Sequence, residues 1–148
     1  MTNFLYLSRN YHIFYQMCAG ASVAEQKEWN LLNANQYHYL NQGKCMTIEE
    51  EGFDEVSDFN RVKQAFQLLG FKNEQVNDIF RLLSAFLLLG NICFEENKLN
   101  SNSKTAPKIK ISNPNVLKTC AVLLGTTEDM LSLSLTFKRL DTRKGKKN

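Results

Sequence analysis

Residues 73–94, NEQVNDIFRLLSAFLLLGNICF, constrain the fold more than any other stretch. Asn73 is placed to cap a helix, because its side-chain oxygen can accept from the free backbone N–H groups of a first turn. Glu74 and Asp78 put negative charge toward the positive end of the helix dipole. Beyond them Ile79, Phe80, Leu82, Leu83, Phe86, Leu87, Leu88 and Leu89 cover nearly the whole circumference, the pattern of a buried helix. The longest uncharged run, residues 82–94, is 13 residues long. A bilayer needs roughly 20. The stretch therefore predicts the central helix of a water-soluble domain, with no membrane as partner.

A chain of 148 residues fits one domain around such a helix, and 43% hydrophobic with 22% charged residues is ordinary globular composition. The flanking segments supply further helices. Residues 4–18 repeat Phe4, Leu7, Tyr11, Phe14, Met17 and Cys18 at helical spacing, with Gly20 as the expected stop. Ser22 opens a short helix with Glu25 as its capping-box partner, and Trp29, Leu31 and Leu32 are its apolar anchors. NANQYHYLNQG (33–43) reads as an ordered loop with aromatic anchors. Ser57 is the expected cap of the next helix, in which Phe59, Val62, Phe66 and Leu69 share a face. Gly70 closes it, Phe71 folds back, and a helical hairpin with the central helix follows.

After Gly90 the period changes. Residues 92–96 and 108–112 alternate like two short strands, separated by the polar loop NKLNSNSKTAP (97–107). Hairpin loops are usually shorter, so this length asks for a functional reason. Asn113 and Pro114 open another helix, with Leu117, Cys120, Ala121 and Leu124 as its buried stripe and Gly125 as its end. Thr127 caps the last helix, with Leu131 and Leu135 inward. The expected fold is mainly α, about six helices with one short two-stranded β-hairpin.

Charge is unevenly spread. From Thr136 onward six bases stand against one acid, giving +5, and the whole-chain +3 leaves −2 for residues 1–135. The acids of residues 49–58 (Glu49, Glu50, Glu51, Asp54, Glu55, Asp58) fit no metal-ligand spacing and read as a solvated loop. The 4 cysteines form no CxxC pair, and with 2 histidines they make no metal site, so reduced thiols in a reducing, intracellular compartment are expected. Residues 1–7 lack the basic lead of a secretory signal.

Catalytic patterns are missing too. Neither Gly43–Lys44 nor Gly145–Lys146 has the glycine five positions earlier that a phosphate-binding loop requires. His12 and Cys18, six apart on one helix, point away from each other. What remains is electrostatic: the lysines in and beside the long loop and the bases of the terminal segment suit an acidic surface. With Phe137 as its single aromatic, the terminal segment offers no base-stacking series, which disfavours nucleic acid.

Several ordered segments resemble one family. RNYHIFYQMCAGAS (9–22) is similar to the RNYHIFYQLLAGAS of myosin motor heads, and YHYLNQG (37–43) to their YxYLNQG. GFDEVSDF (52–59) resembles GxDDxxxF, LSAFLLLGNICF (83–94) looks like LAAILHLGNIxF, and LLGTTEDMLSLSLT (123–136) looks like LLGVxxxxLxxALT. The resemblance covers nearly the whole chain after Ser8. It implies that residues 1–148 are a partial myosin motor domain, the helical portion of the upper 50-kDa subdomain, within the P-loop motor fold. Ser8 stands where the family has Glu, and residues 1–7 depart from its lead-in, so the chain is expected to start inside a larger protein.

In that family the nucleotide motifs lie on either side of this piece. The resemblance implies an actin-based, ATP-driven motor that uses ATP and Mg, with no catalytic residue and no cofactor in this chain. The partners it implies are the actin filament and the remaining parts of the motor domain, in a cytoplasmic, cytoskeleton-associated setting. It places an actin-contacting loop at 97–107 and the start of a second, flexible basic loop at 136–148. The candidate actin contacts are Lys98, Lys104 and Lys108 in the first region and Lys138, Arg139, Arg143, Lys144, Lys146 and Lys147 in the second. The alternative is a stand-alone, non-catalytic helical module that binds actin or another polyanion.

Overall fold

A computed structural model of the chain describes residues 10–42, 54–96 and 109–137. Among these, the order is α1 (His12–Gly20), α2 (Val23–Glu28), a 3₁₀ turn (Ala34–Gln36), α3 (His38–Asn41), α4 (Glu55–Leu68), α5 (Asn73–Leu89), β1 (Phe94–Glu96), β2 (Ile109–Ile111), α6 (Pro114–Leu124) and α7 (Glu128–Thr136). The mainly helical fold with one hairpin is as expected; α3 is a single turn inside the segment read as an ordered loop.

The core is aromatic. Trp29 and Phe80 rings lie 5.0 Å apart, Phe59 and Phe80 5.1 Å, and Phe66 and Phe80 5.9 Å, so α2, α4 and α5 meet around Phe80. Offset and edge-on rings at these separations attract beyond simple area burial. The Trp29 indole N–H donates to Asn77 Oδ1, which satisfies the polar end of a side chain only 2% exposed. On the far side of α5, α6 buries Leu117, Cys120, Ala121 and Leu123. Phe14, Tyr15 and Met17 of α1 are buried, and the loop is anchored by Tyr37, whose hydroxyl accepts from the Leu32 N–H at 2.8 Å.

Several boundaries differ from the sequence expectation, each for a local reason. The helix expected over 4–18 begins at His12, because Tyr11 is extended and the Asn10 side-chain amide donates to the Tyr39 carbonyl; residues 1–9 lie outside the described residues. Gly20 is the last residue of α1, not the stop beyond it. Its requirement is close approach, since an added Cβ would sit 2.8 Å from Phe59 Cβ and α1 packs on α4 there. Asp54, not Ser57, caps α4, accepting from the Val56 and Ser57 N–H groups at 3.1 and 3.2 Å. Asn73 is the first residue of α5 rather than its cap; Gln75 Oε1 reaches back to the Lys72 N–H at 2.9 Å.

The α4–α5 corner forms as read. Gly70 takes φ +80°, Phe71 N–H donates to the Phe66 carbonyl at 3.0 Å, and the two rings meet at 5.2 Å. Leu69, expected on the buried face, is 74% exposed. The helix expected all-buried is also open on one side, at Leu82 and Phe86. Leu32 and Leu135 are likewise exposed rather than inward. The Ser22–Glu25 capping box is present in both halves, with Ser22 N–H to Glu25 Oε2 at 2.7 Å and Glu25 N–H to Ser22 Oγ at 3.3 Å.

Candidate functional site

The two regions singled out by charge adjoin the hairpin and α7 in the chain. β1 and β2 pair antiparallel, with Phe94 opposite Ile111, Glu95 opposite Lys110 and Glu96 opposite Ile109. This stem carries the loop that leaves at Glu96 and returns at Ile109. α7 packs against both α6 and β2, and the terminal basic segment follows it in the chain. Thr127 Oγ1 accepts from the Met130 N–H at 3.2 Å, and Glu128 and Asp129 occupy the first turn, so α7 is capped as expected.

Side-chain amides hold the stem. Asn91, just past α5, accepts the His38 N–H on Oδ1 and donates from Nδ2 to the Gln36 carbonyl, both at 2.8 Å. Asn113 donates from Nδ2 to the Asn91 carbonyl at 2.8 Å and accepts the Cys93 N–H on Oδ1 at 2.9 Å. Asn113 therefore stands at the N-cap position of α6, but its side chain makes no cap bond and is used to hold the strand instead. Ser112 closes the base, its N–H and hydroxyl both donating to the Cys93 carbonyl. Sequence reading missed this pair of amides. The available signal was an Asn standing just outside each end of the two alternating stretches.

The stem itself carries two acids, Glu95 and Glu96, against one base, Lys110. Lys110 Nζ lies 2.9 Å from Glu95 Oε1, and both side chains are about half exposed, which makes the pair worth little. The excess positive charge is in the flanking segments. Lys98, Lys104 and Lys108, and Lys138, Arg139, Arg143, Lys144, Lys146 and Lys147, all lie outside the described residues, as do the expected loop 97–107 and the terminal segment beyond Phe137. What is described is the hairpin and α7, the packed elements next to them in the chain.

Elsewhere the chemistry is quiet. Burial pushes the Cys18 thiol up to about 12 and the Cys120 thiol up to about 11, so neither supplies a thiolate at neutral pH. Burial likewise pushes the Tyr37 phenol up to about 12. Cys93 is exposed, with its thiol toward the Asn91 carbonyl at 3.6 Å. Burial raises the Glu25 carboxyl, but the Ser22 N–H and hydroxyl and the Lys63 ammonium at 3.1 Å outweigh it and leave the pKa lowered. Lys63 also lies 4.8 Å over the Phe59 ring. Glu25, Lys63, Asn60, Gln64 and Asn77 line a cleft of about 700 Å³ between α2, α4 and α5, floored by Trp29 and Phe80. Among the described residues no group of three His, Cys, Asp or Glu side chains is placed to hold a metal, and no helix is long and apolar enough to cross a membrane.

The family model for the myosin head (motor domain) matches residues 5–148. The chain belongs to the myosin head family. Myosin IB heavy chain of Dictyostelium discoideum is 36% identical over 135 residues, covering 90% of this chain and 11% of its own length. Human unconventional myosin-IXa is 38% identical over 154 residues, covering 92% of this chain and 6% of its own. Myosin-1 of Arabidopsis thaliana is 36% identical over 135 residues, with 91% and 11% covered. The chain spans about a tenth or less of the length of these curated relatives. The helices and hairpin described above are thus a myosin head segment.

Proposed function

We propose that this chain is the actin-facing helical part of an actin-based, ATP-driven motor, contributing structural core and filament contacts but no nucleotide chemistry. The observation that carries the reading is the packing of α7 on β2: within a myosin head segment, one basic segment joins β1 to β2 and the other follows α7. Two basic segments suit one extended acidic surface, which is what a filament presents. Lys98, Lys104 and Lys108 from the first, and Lys138, Arg139, Arg143, Lys144, Lys146 and Lys147 from the second, are the assigned contacts. ATP and Mg belong to other parts of the motor domain, which are also partners of this chain; the setting is cytoplasmic and cytoskeletal.

Contacts of this kind are screened by salt, since the Debye length is about 10 Å at 0.1 M ionic strength and about 3 Å at 1 M. The chain is expected to co-sediment with actin filaments at low ionic strength and to be released by added salt, with no ATPase above background. Failure to pellet with filaments at low salt would overturn the actin assignment. ATP turnover lost on substituting a residue of this chain would overturn the division of labour.

A further inference from the structure

The cleft between α2, α4 and α5 is walled by amides. Asn60, Gln64 and Gln67 stand at i, i+4 and i+7 on α4, so they share one face and span about 10 Å. Asn73 and Asn77, at i and i+4 on α5, line the other wall. The three α4 amides are exposed and make no side-chain hydrogen bond among the described residues. At the α2 end, Lys63 is held by Glu25 at 3.1 Å. Glu28 accepts the Asn77 amide on Oε1 at 2.6 Å and makes no ion pair among the described residues. The floor is closed: Trp29 is 2% and Phe80 1% exposed, so neither ring offers its face to a ligand.

We propose that this cleft binds an extended basic peptide, a strand-like segment of a partner protein that carries lysine or arginine. A primary amide offers both a donor and an acceptor, the same pair that each peptide unit presents. In an extended chain the groups on one side recur every two residues, about 6.6 Å apart, and the Asn60–Gln64 step is about 6 Å. About three residues of such a peptide match the α4 wall. A basic side chain at the α2 end meets Glu28, whose second oxygen is open to it. Other ligand classes fit less well. A nucleobase stacks on an open aromatic face, which the buried floor does not provide. An anion finds the single cation of the cleft, Lys63, already paired. An amphipathic helix needs an apolar groove, and Val76 is the one aliphatic residue of the lining. The proposal uses none of the assigned filament contacts and stands apart from them.

The test is the binding of a capped peptide of alternating threonine and arginine to the 148-residue chain. Trp29, the one tryptophan, bonds Asn77 on the wall, so its fluorescence reports the cleft. Saturable binding below about 1 mM peptide is expected. Asn60→Ala with Gln64→Ala, at exposed positions, should weaken it about tenfold and leave the melting temperature within about 2 °C. N-methylation of the peptide backbone should weaken it by about as much, and it leaves the protein untouched. Glu28→Gln should weaken binding about threefold and flatten its salt dependence. Asn115→Ala, an exposed amide on α6, should change nothing. No saturable binding up to that concentration would refute the proposal. So would equal binding of the N-methylated peptide or of one with glutamate for arginine, or indifference to either set of cleft substitutions.

Discussion

The aromatic centre and the hairpin platform are built on opposite principles. Around Phe80, three helices are held by rings that exclude water, with one indole N–H and one lysine as the polar trim. At the platform the strands are three residues each, Phe94 and Ile109 are half exposed, and order comes from Asn91, Asn113 and Ser112 bonding to backbone. Burial is strong and indifferent to direction, which suits a scaffold. Amide clamps are weaker but fix geometry, which suits the stem of a loop proposed to meet a partner. The platform is thus the part expected to yield first without the scaffold following.

Phe59→Ala should have the largest effect. It empties a fully buried ring site beside Phe80 and Trp29, and a loss of roughly 3–5 kcal/mol is expected. Chemical denaturation monitored by Trp29 fluorescence would read it. Gly20→Val belongs to the same region, because its Cβ would meet the Phe59 side chain at 2.8 Å. Next comes Asn113→Ala, which removes the bonds to the Cys93 N–H and the Asn91 carbonyl; about 0.5–1.5 kcal/mol per bond is expected. Hydrogen exchange should quicken at residues 94–96 and 109–111 while the amides around Phe80 stay protected. If both regions loosen together, the two are one cooperative unit and the contrast fails.

A smaller effect separates the regions by pH. The Glu25 carboxyl has a lowered pKa in the fold, so its contribution is present above the ordinary carboxylate range and is lost as pH falls through the folded value. Acidification below about pH 4 should therefore loosen the α2 capping box and its Lys63 pair, and Glu25→Gln should remove that dependence. The smallest effect is at the stem: Lys110→Gln breaks an exposed pair with Glu95 and should change stability by less than about 1 kcal/mol. A larger loss there would mean that charge, rather than the amides, holds the hairpin.

Much of the scaffold was legible because helical periodicity and capping chemistry are local. The Ser22–Glu25 box, the Gly70–Phe71 fold-back, the Thr127 cap and the antiparallel strands all follow from neighbours in sequence. The errors came from contacts across the chain. Asn113 looks like a cap until Cys93 and Asn91 claim its side chain, and Gly20 looks like a stop until Phe59 arrives from α4. Leu82 and Phe86 looked buried because the pattern of α5 records more apolar surface than the described residues cover. The assigned contact residues were read from charge and resemblance alone, and the packing of α7 on β2 is a contact between elements distant in sequence that no local pattern shows.

The central claim is that the two basic segments meet one acidic surface. Actin affinity measured by co-sedimentation at low salt, for a two-by-two set of variants, tests it most directly. One change replaces Lys98, Lys104 and Lys108 by Gln; the other replaces Lys138, Arg139, Arg143, Lys144, Lys146 and Lys147 by Gln. Each alone should weaken binding, the terminal set by roughly tenfold or more, and the combination should abolish it. Binding that survives the combined change, or that is absent from the unaltered chain, would contradict the account.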